Sequence, residues 1–111
     1  MKRAEQFLYL TTKGWKTGAL HRIEIWYVQH NGRFYLVSQY RDRSAWVQNI
    51  KHDSKIDFHV GNTTFHGIGR IIEATKESVL AKQVSKLMDQ KYDWSDGLIV
   101  ELRPEPGSLP G

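Results

Sequence analysis

The chain of 111 residues contains no cysteine, and its three prolines lie at positions 104, 106 and 110. Without thiols, a disulfide framework, a thiolate nucleophile and a cysteine–zinc site are excluded. The longest apolar runs are about five residues, far short of the ~20 needed to span a bilayer. No long apolar segment follows the basic start, which argues against a secretory signal. We therefore expect a cytoplasmic protein with no membrane span.

Acidic side chains are scarce at the beginning of the chain. Residues 1–22 contain five basic side chains against Glu5, a net charge of +4, whereas the remaining 89 residues contain eleven basic and eleven acidic side chains. The hydrophobic content of 40% and charged content of 25% are ordinary for a globular domain. We predict one domain over residues 1–103, followed by an irregular Pro/Gly tail over residues 104–111.

Alternating hydrophobicity predicts that most of the chain forms strands. The predicted strands cover residues 7–12, 22–28, 33–38, 55–60, 63–72 and 97–103, and the predicted helices cover residues 44–52 and 75–92. Asn31-Gly32 predicts a tight hairpin, and Gly67 and Gly69 indicate a bulge or a close backbone approach. The fold class is therefore mainly β (α+β), a small six-stranded antiparallel barrel with two helices.

A glycine-containing, basic segment runs from Thr11 to Arg22. Gly14 and Gly18 permit backbone conformations in which amides approach an anion. Lysine side chains and threonine hydroxyls would add charge and hydrogen-bond donors. The segment fits an anion-binding site, although the same residues fit an ordinary solvated turn equally well.

A second polar segment follows the strand that ends at Ser38 and leads into the helix near Ser44. Strand-end backbone groups beside a helix N-terminus suit a planar heterocycle with hydrogen-bonding edges. Trp46 would pack near such a ring, although a core position is the favoured interpretation of this residue alone. Glu24 is either an acid/base group or, more simply, an ion-pair partner of Arg22 or a lysine.

Other kinds of catalytic site find no support in the residues. His52, His59 and His66 lie on different predicted elements, and no carboxylate pair has ligand spacing with them, so no metal site is expected. Nothing resembles a nucleophile elbow, which argues against a hydrolase.

Several motifs together resemble the deazaflavin-dependent nitroreductase family. They are Thr-Thr-Lys-Gly-Trp-Lys-Thr-Gly at 11–18, His-Arg-Ile-Glu-Ile-Trp-Tyr-Val at 21–28 and Ala-Trp-Val-Gln-Asn-Ile at 45–50. The resemblance covers roughly residues 7–73. It implies a flavin-binding split β-barrel of the kind that includes pyridoxamine phosphate oxidases. It also implies a homodimer with coenzyme F420, or FMN in related branches, bound at or near the subunit interface.

The resemblance also implies positions for the cofactor contacts. The cofactor phosphate would be held by Lys16, Thr17 and His21, with Lys13 and Arg22 close by. The ring would be lined by Ser38, Gln39 and Tyr40 and bracketed from the helix by Trp46 and Asn49.

The leading functional hypothesis is an oxidoreductase that transfers a hydride to a small organic acceptor, such as a quinone or a nitro compound. Tyr40 or a water molecule would deliver the accompanying proton. One alternative is a nucleic-acid-binding small β-barrel in which Trp15, Trp26 or Tyr40 stacks on bases. It is the less favoured, because the positive charge sits in one loop rather than in a long stripe and the overall charge of +4 is modest. The other alternative is a non-catalytic flavin-binding domain.

Overall fold

The computed structural model describes residues 6–106 as seven antiparallel strands and two helices. The strands are β1 (Phe7–Lys13), β2 (Leu20–Trp26), β3 (Val28–His30), β4 (Arg33–Ser38), β5 (Lys55–Val60), β6 (Thr63–Ile72) and β7 (Leu98–Pro104). The helices are α1 (Ala45–His52) and α2 (Ser78–Tyr92). The sheet order is β2-β1-β5-β6-β7-β4-β3. The predicted fold class is confirmed, while residues 107–111 of the predicted tail lie outside the described residues.

The sheet curls around one apolar core and carries a second core under α2. The inner core includes Leu8, Leu10, Phe34 and Leu36, and α1 packs on it through Val47. The second core joins the other face of the sheet to Ala81, Val84 and Met88 of α2. β4 and β7 are covered on both faces over most of their length, and their buried residues are apolar except for Ser38 and Glu101.

The strand count differs from the prediction because the predicted strand 22–28 divides at Tyr27. β2 pairs with β1 up to Trp26, and β3 pairs with β4 from Val28 onward. Between them, the Tyr27 amide donates to Tyr92 Oη at 2.9 Å. The Tyr27 carbonyl accepts from Lys91 Nζ at 3.0 Å and from Tyr92 Oη at 2.8 Å. The end of α2 therefore satisfies the backbone where the chain changes strand partners.

The predictions made from Asn31-Gly32 and from Gly67 and Gly69 are confirmed by the backbone. Asn31 and Gly32 have φ angles of 52° and 75°, as a tight hairpin requires. A Cβ on Gly67 would lie 2.3 Å from the Arg103 carbonyl oxygen, and one on Gly69 would lie 3.1 Å from the Ile50 side chain. These close approaches let β6 pair tightly with β7 and let α1 lie directly on the sheet.

The helix boundaries are close to those predicted. α1 begins at Ala45 rather than at residue 44, and α2 begins at Ser78 rather than at residue 75. The residues before α2 form a separate turn in which the amides of Lys76 and Glu77 donate to the Glu73 carbonyl. No helix among residues 6–106 has the length and apolar character needed to cross a membrane.

Candidate functional site

A cleft of about 790 Å³ lies where β2 faces the end of β4 and the start of α1. Within the described residues β2 pairs only with β1, so its other edge presents backbone groups toward this opening. The volume is in the ~300–1,000 Å³ range of small-molecule sites. The cleft is lined by Phe7, Ile23, Glu24, Ile25, Trp26, Val37, Ser38, Gln39, Tyr40, Ser44, Ala45, Trp46 and Trp94. A second groove, of about 650 Å³, runs along α2 and has no aromatic lining.

The polar side of the cleft, called the floor below, is built around the Ser38 side chain. Its hydroxyl donates to the Arg41 carbonyl at 2.8 Å and lies 2.8 Å from Ser44 Oγ. Because the single hydroxyl proton of Ser38 is directed to the Arg41 carbonyl, the Ser44 hydroxyl is the donor in its bond with Ser38 Oγ. Arg41 has a φ angle of 55°, a left-handed conformation that costs of order 1 kcal/mol for a non-glycine residue. The Ser38 hydrogen bond therefore holds the turn that carries Gln39 and Tyr40 at the mouth.

Aromatic rings form the opposite side of the cleft. The Trp26 ring stacks on Tyr92 at 4.4 Å between centroids and 3° between planes, and Trp94 meets Trp26 edge-on at 6.1 Å. Burial raises the pKa of Tyr92 to about 12, so its phenol stays neutral. A Cβ on Gly97 would lie 2.3 Å from the Ser38 carbonyl oxygen, which shows how closely the segment carrying Trp94 passes the floor.

Glu24 faces the cleft from β2. Its carboxylate accepts a hydrogen bond of 2.9 Å from Tyr9 Oη, and this bond, with the carboxylate's charge, raises the pKa of Tyr9. The Arg22 guanidinium lies over the Tyr9 ring at 4.6 Å. Within residues 6–106, Glu24 forms no ion pair with Arg22 or a lysine, and its hydrogen-bond donor is the Tyr9 phenol.

The basic turn between β1 and β2 covers residues 14–19. The Gly14 amide donates to the Ala19 carbonyl and the Gly18 amide to the Gly14 carbonyl, both at 2.7 Å. The glycine amides expected to face an anion are thus engaged within the turn. Lys16 Nζ lies 5.0 Å from the centre of the Trp15 ring, and that ring stacks on His52 at 4.4 Å.

Helix α1 connects the basic turn to the cleft. Ala45 and Trp46 at its beginning line the cleft. Further along, buried Asn49 donates to Thr12 Oγ1 at 2.9 Å and accepts from the Trp15 amide at 3.1 Å. Eight helical residues rise about 12 Å. The turn and the cleft therefore lie at opposite ends of one short helix.

The structure separates the predicted site residues into two groups. The cleft is lined by Ser38, Gln39, Tyr40 and Trp46. The turn and the start of β2 carry Lys13, Lys16, Thr17, His21 and Arg22. Asn49 was predicted to bracket a ring, but its amide faces the turn and it lies outside the cleft lining. Lys13 also lines a groove of about 260 Å³ beside Asp57 and His66.

The sequence analysis did not predict the aromatic wall of the cleft, which is formed by the rings of Trp26 and Trp94. Trp94 follows α2 and is far in sequence from Trp26, and only the packing of α2 brings the two rings together. The available signal was the aromatic pair Tyr92 and Trp94 directly after a helical pattern. Among the described residues, no group of three or more His, Asp or Glu side chains has a metal-binding arrangement.

These features define a class of protein. A curled antiparallel sheet with two helices, with an aromatic cleft at one end of α1 and a basic turn at the other, is a split β-barrel. The chain belongs to the F420H(2)-dependent quinone reductase family, whose sequence model matches residues 2–97. It is therefore an oxidoreductase, and its coenzyme is F420.

Solved structures support the fold. A conserved hypothetical protein from Mycobacterium tuberculosis has a TM-score of 0.72 and 19% identity over 96% of this chain and 82% of that one. A structure described as an F420-H2 dependent reductase has a TM-score of 0.65 and 18% identity over 88% and 94%. A protein described as a pyridoxamine 5'-phosphate oxidase of Listeria innocua has a TM-score of 0.65 and 14% identity over 90% and 84%. Among curated proteins, no significant match is found.

Proposed function

We propose that this protein transfers a hydride from reduced F420 to a small organic acceptor such as a quinone or a nitro compound. The observation that carries the proposal is the aromatic cleft beside the Ser38 floor, in a chain of this family. The coenzyme ring would lie against Ser38, Gln39, Tyr40 and Trp46. FMN is the alternative ring system.

The basic turn is the proposed site of the coenzyme's phosphate. Lys16, Thr17 and His21 would hold it, with Lys13 and Arg22 adding positive charge. The separation of about 12 Å along α1 suits a ring joined to a phosphate by an extended linker. Asn49 would act as a positioning residue, since it ties the turn to the helix that carries Trp46.

When bound, the coenzyme supplies the hydride, and the protein supplies binding, orientation and electrostatics. The tryptophan rings exclude water from the reacting faces. The Tyr40 phenol is 62% exposed at the mouth, where it or a water molecule can deliver a proton to the reduced acceptor.

We also propose that the enzyme is a homodimer and that it is located in the cytoplasm. The outer side of β1 and β2 leaves Phe7 and Tyr9 38% exposed and Leu20 73% exposed. These apolar side chains alternate with Arg22 and Glu24 on the same side of the two strands, so a second copy would contact a mixed apolar and charged surface. A light-scattering mass of twice 12.9 kDa is the expected result, and a mass of one chain would contradict the dimer.

Coenzyme titration tests the proposed function directly. We expect F420 to bind at micromolar concentrations or tighter, with FMN as the comparison ligand. Lys16→Ala should weaken binding by about 1.5–3 kcal/mol if Lys16 makes a charge-assisted phosphate contact. The control is Lys86→Ala, which removes the same charge from α2.

The titration has outcomes that would contradict the proposal. If neither coenzyme binds, the oxidoreductase function fails, and salt-sensitive binding of single-stranded nucleic acid would then support a nucleic-acid-binding barrel. If the coenzyme binds but no quinone or nitro compound oxidises it, the chain is a non-catalytic flavin-binding domain. An unchanged affinity in Lys16→Ala removes Lys16 from the site.

A further inference from the structure

The charge of the cleft is opposite to the charge of the basic turn. Among the described residues that line the cleft, three are tryptophans, and Glu24 is the one charged side chain. Among the predicted phosphate contacts, Lys13, Lys16, Thr17 and His21 lie in or beside the basic turn. Arg22 instead lies over the Tyr9 ring, next to Glu24. The two ends of the site therefore present different electrostatic surfaces to the molecules they bind.

The carboxylate of Glu24 bonds to a neutral group rather than to a cation. No ion pair of Glu24 occurs within residues 6–106, and its hydrogen-bond donor is the neutral phenol of Tyr9. Arg22, the nearest cation in sequence, is directed onto the Tyr9 ring instead. Low-polarity walls strengthen the field of such a charge inside a cleft.

Glu24 and the aromatic wall act on the same part of the cleft. Glu24 and Trp26 are two residues apart on β2, so their side chains project to the same side of the strand. The Trp94 ring and the face of Trp26 that Tyr92 does not cover favour flat apolar rings and cations. A carboxylate next to them repels anions.

Resting on the proposed function, we propose that Glu24 and the Trp26–Trp94 wall select planar aromatic acceptors that are neutral or cationic and reject anionic ones. Glu24 is then a specificity-determining residue for the acceptor. The anionic tail of the coenzyme would be held on the basic turn, at the other end of α1 from the cleft, so the same carboxylate would not oppose coenzyme binding.

Two quinones of the same ring size provide the test. One is 1,4-naphthoquinone, and the other is its 2-sulfonate, which adds a negative charge. The value of kcat/KM is measured for each with reduced F420. Separately, the Kd of each quinone is measured without coenzyme from the quenching of tryptophan fluorescence. We expect the wild-type protein to prefer the neutral quinone by about tenfold in both measurements.

Three variants of Glu24 isolate the charge. Glu24→Gln should reduce the preference to about twofold, and Glu24→Lys should reverse it. Glu24→Asp, which keeps the charge, should retain a preference close to that of the wild type. The matched control is Glu73→Gln, which changes the net charge equally at an exposed residue paired with Lys76 outside the cleft. Circular dichroism confirms that each variant is folded.

The outcomes separate this inference from the proposed function. Equal use and equal binding of the two quinones by the wild type would overturn it, as would the same preference in Glu24→Gln and the wild type. If F420 does not bind, the proposed function fails, but the fluorescence Kd values still decide whether Glu24 discriminates by charge.

Discussion

At the scale of single residues, Asn49 shows how a polar side chain can build a site without lining it. Both ends of its amide are used, one by Thr12 and one by the Trp15 backbone. Asn49 is 4% exposed and Thr12 is 2% exposed, so the Thr12 hydroxyl cannot simply exchange this bond for one to water. Its sequence position in an Ala-Trp-Val-Gln-Asn-Ile motif could not show this, because the two partners are more than thirty residues earlier in the chain.

Replacing Asn49 tests this positioning role. We expect Asn49→Ala to lower the free energy of unfolding by about 2–3 kcal/mol, because it leaves a buried hydroxyl and an amide without partners. The variant should also weaken F420 binding, since the turn carrying Lys16 loses its attachment. Urea unfolding and coenzyme titration are the measurements.

The control for Asn49 is its neighbour on α1. Gln48 donates to the Asp42 carbonyl near the surface, so Gln48→Ala should cost under about 1 kcal/mol. Equal losses of stability in the two variants would show that the buried amide has no special role.

At the scale of elements, the correct predictions concern features that are determined by residues close together in the sequence. Asn31-Gly32 specified a hairpin because both residues tolerate positive φ angles. Alternation in β1 placed Leu8 and Leu10 inside the sheet. The division between β2 and β3 was not predictable from the same residues, since Lys91 and Tyr92 cause it from 64 and 65 positions away. The aromatic wall was missed for the same reason.

The contact between α2 and the junction of β2 and β3 at Tyr27 can be tested by replacing Tyr92. Tyr92→Phe keeps the ring stacked on Trp26 but removes the hydroxyl that bonds to the Tyr27 and Gln6 backbone. We expect a loss of about 1–3 kcal/mol in the free energy of unfolding. The exchange of the Tyr27 amide hydrogen should accelerate, as followed by hydrogen–deuterium exchange.

Tyr40→Phe is the matched control for stability, because the Tyr40 side chain is 62% exposed. It should leave the unfolding free energy within about 0.5 kcal/mol of the wild type. If the Tyr27 amide exchanges equally slowly in Tyr92→Phe and in the wild type, other contacts hold the junction of β2 and β3.

At the scale of the whole molecule, one buried carboxylate joins three strands and a helix. Glu101 on β7 accepts from Tyr35 on β4 at 2.8 Å and from Arg70 on β6 at 3.2 Å. Arg70 also donates to Glu77 before α2, at 2.7 Å. Burial, together with the Glu101 contact, raises the pKa of Tyr35 to about 12. The phenol and the guanidinium therefore remain hydrogen-bond donors below about pH 12.

This network gives the whole fold a pH dependence with a definite sign. Burial acts to raise the pKa of Glu101, but hydrogen bonds from Arg70 and Tyr35 outweigh it and hold that pKa below the usual 4.5. The unfolded chain thus takes up the proton more readily than the folded one. The stability that Glu101 contributes is complete above about pH 4.5 and is lost as the pH falls through the lower, folded-state pKa.

Replacing the carboxylate by an amide separates this contribution from those of other acidic groups. Near neutral pH, Glu101→Gln should cost about 2–3 kcal/mol, because the charge-assisted bonds from Arg70 and Tyr35 are weakened. Below about pH 4.5 the stability curves of the wild type and the variant should converge, since only the wild type has a carboxylate to protonate here. Urea unfolding between about pH 7 and pH 3 measures both curves. Glu73→Gln, at an exposed residue, should follow the wild type throughout, and parallel curves for Glu101→Gln would show that another group sets the acid sensitivity.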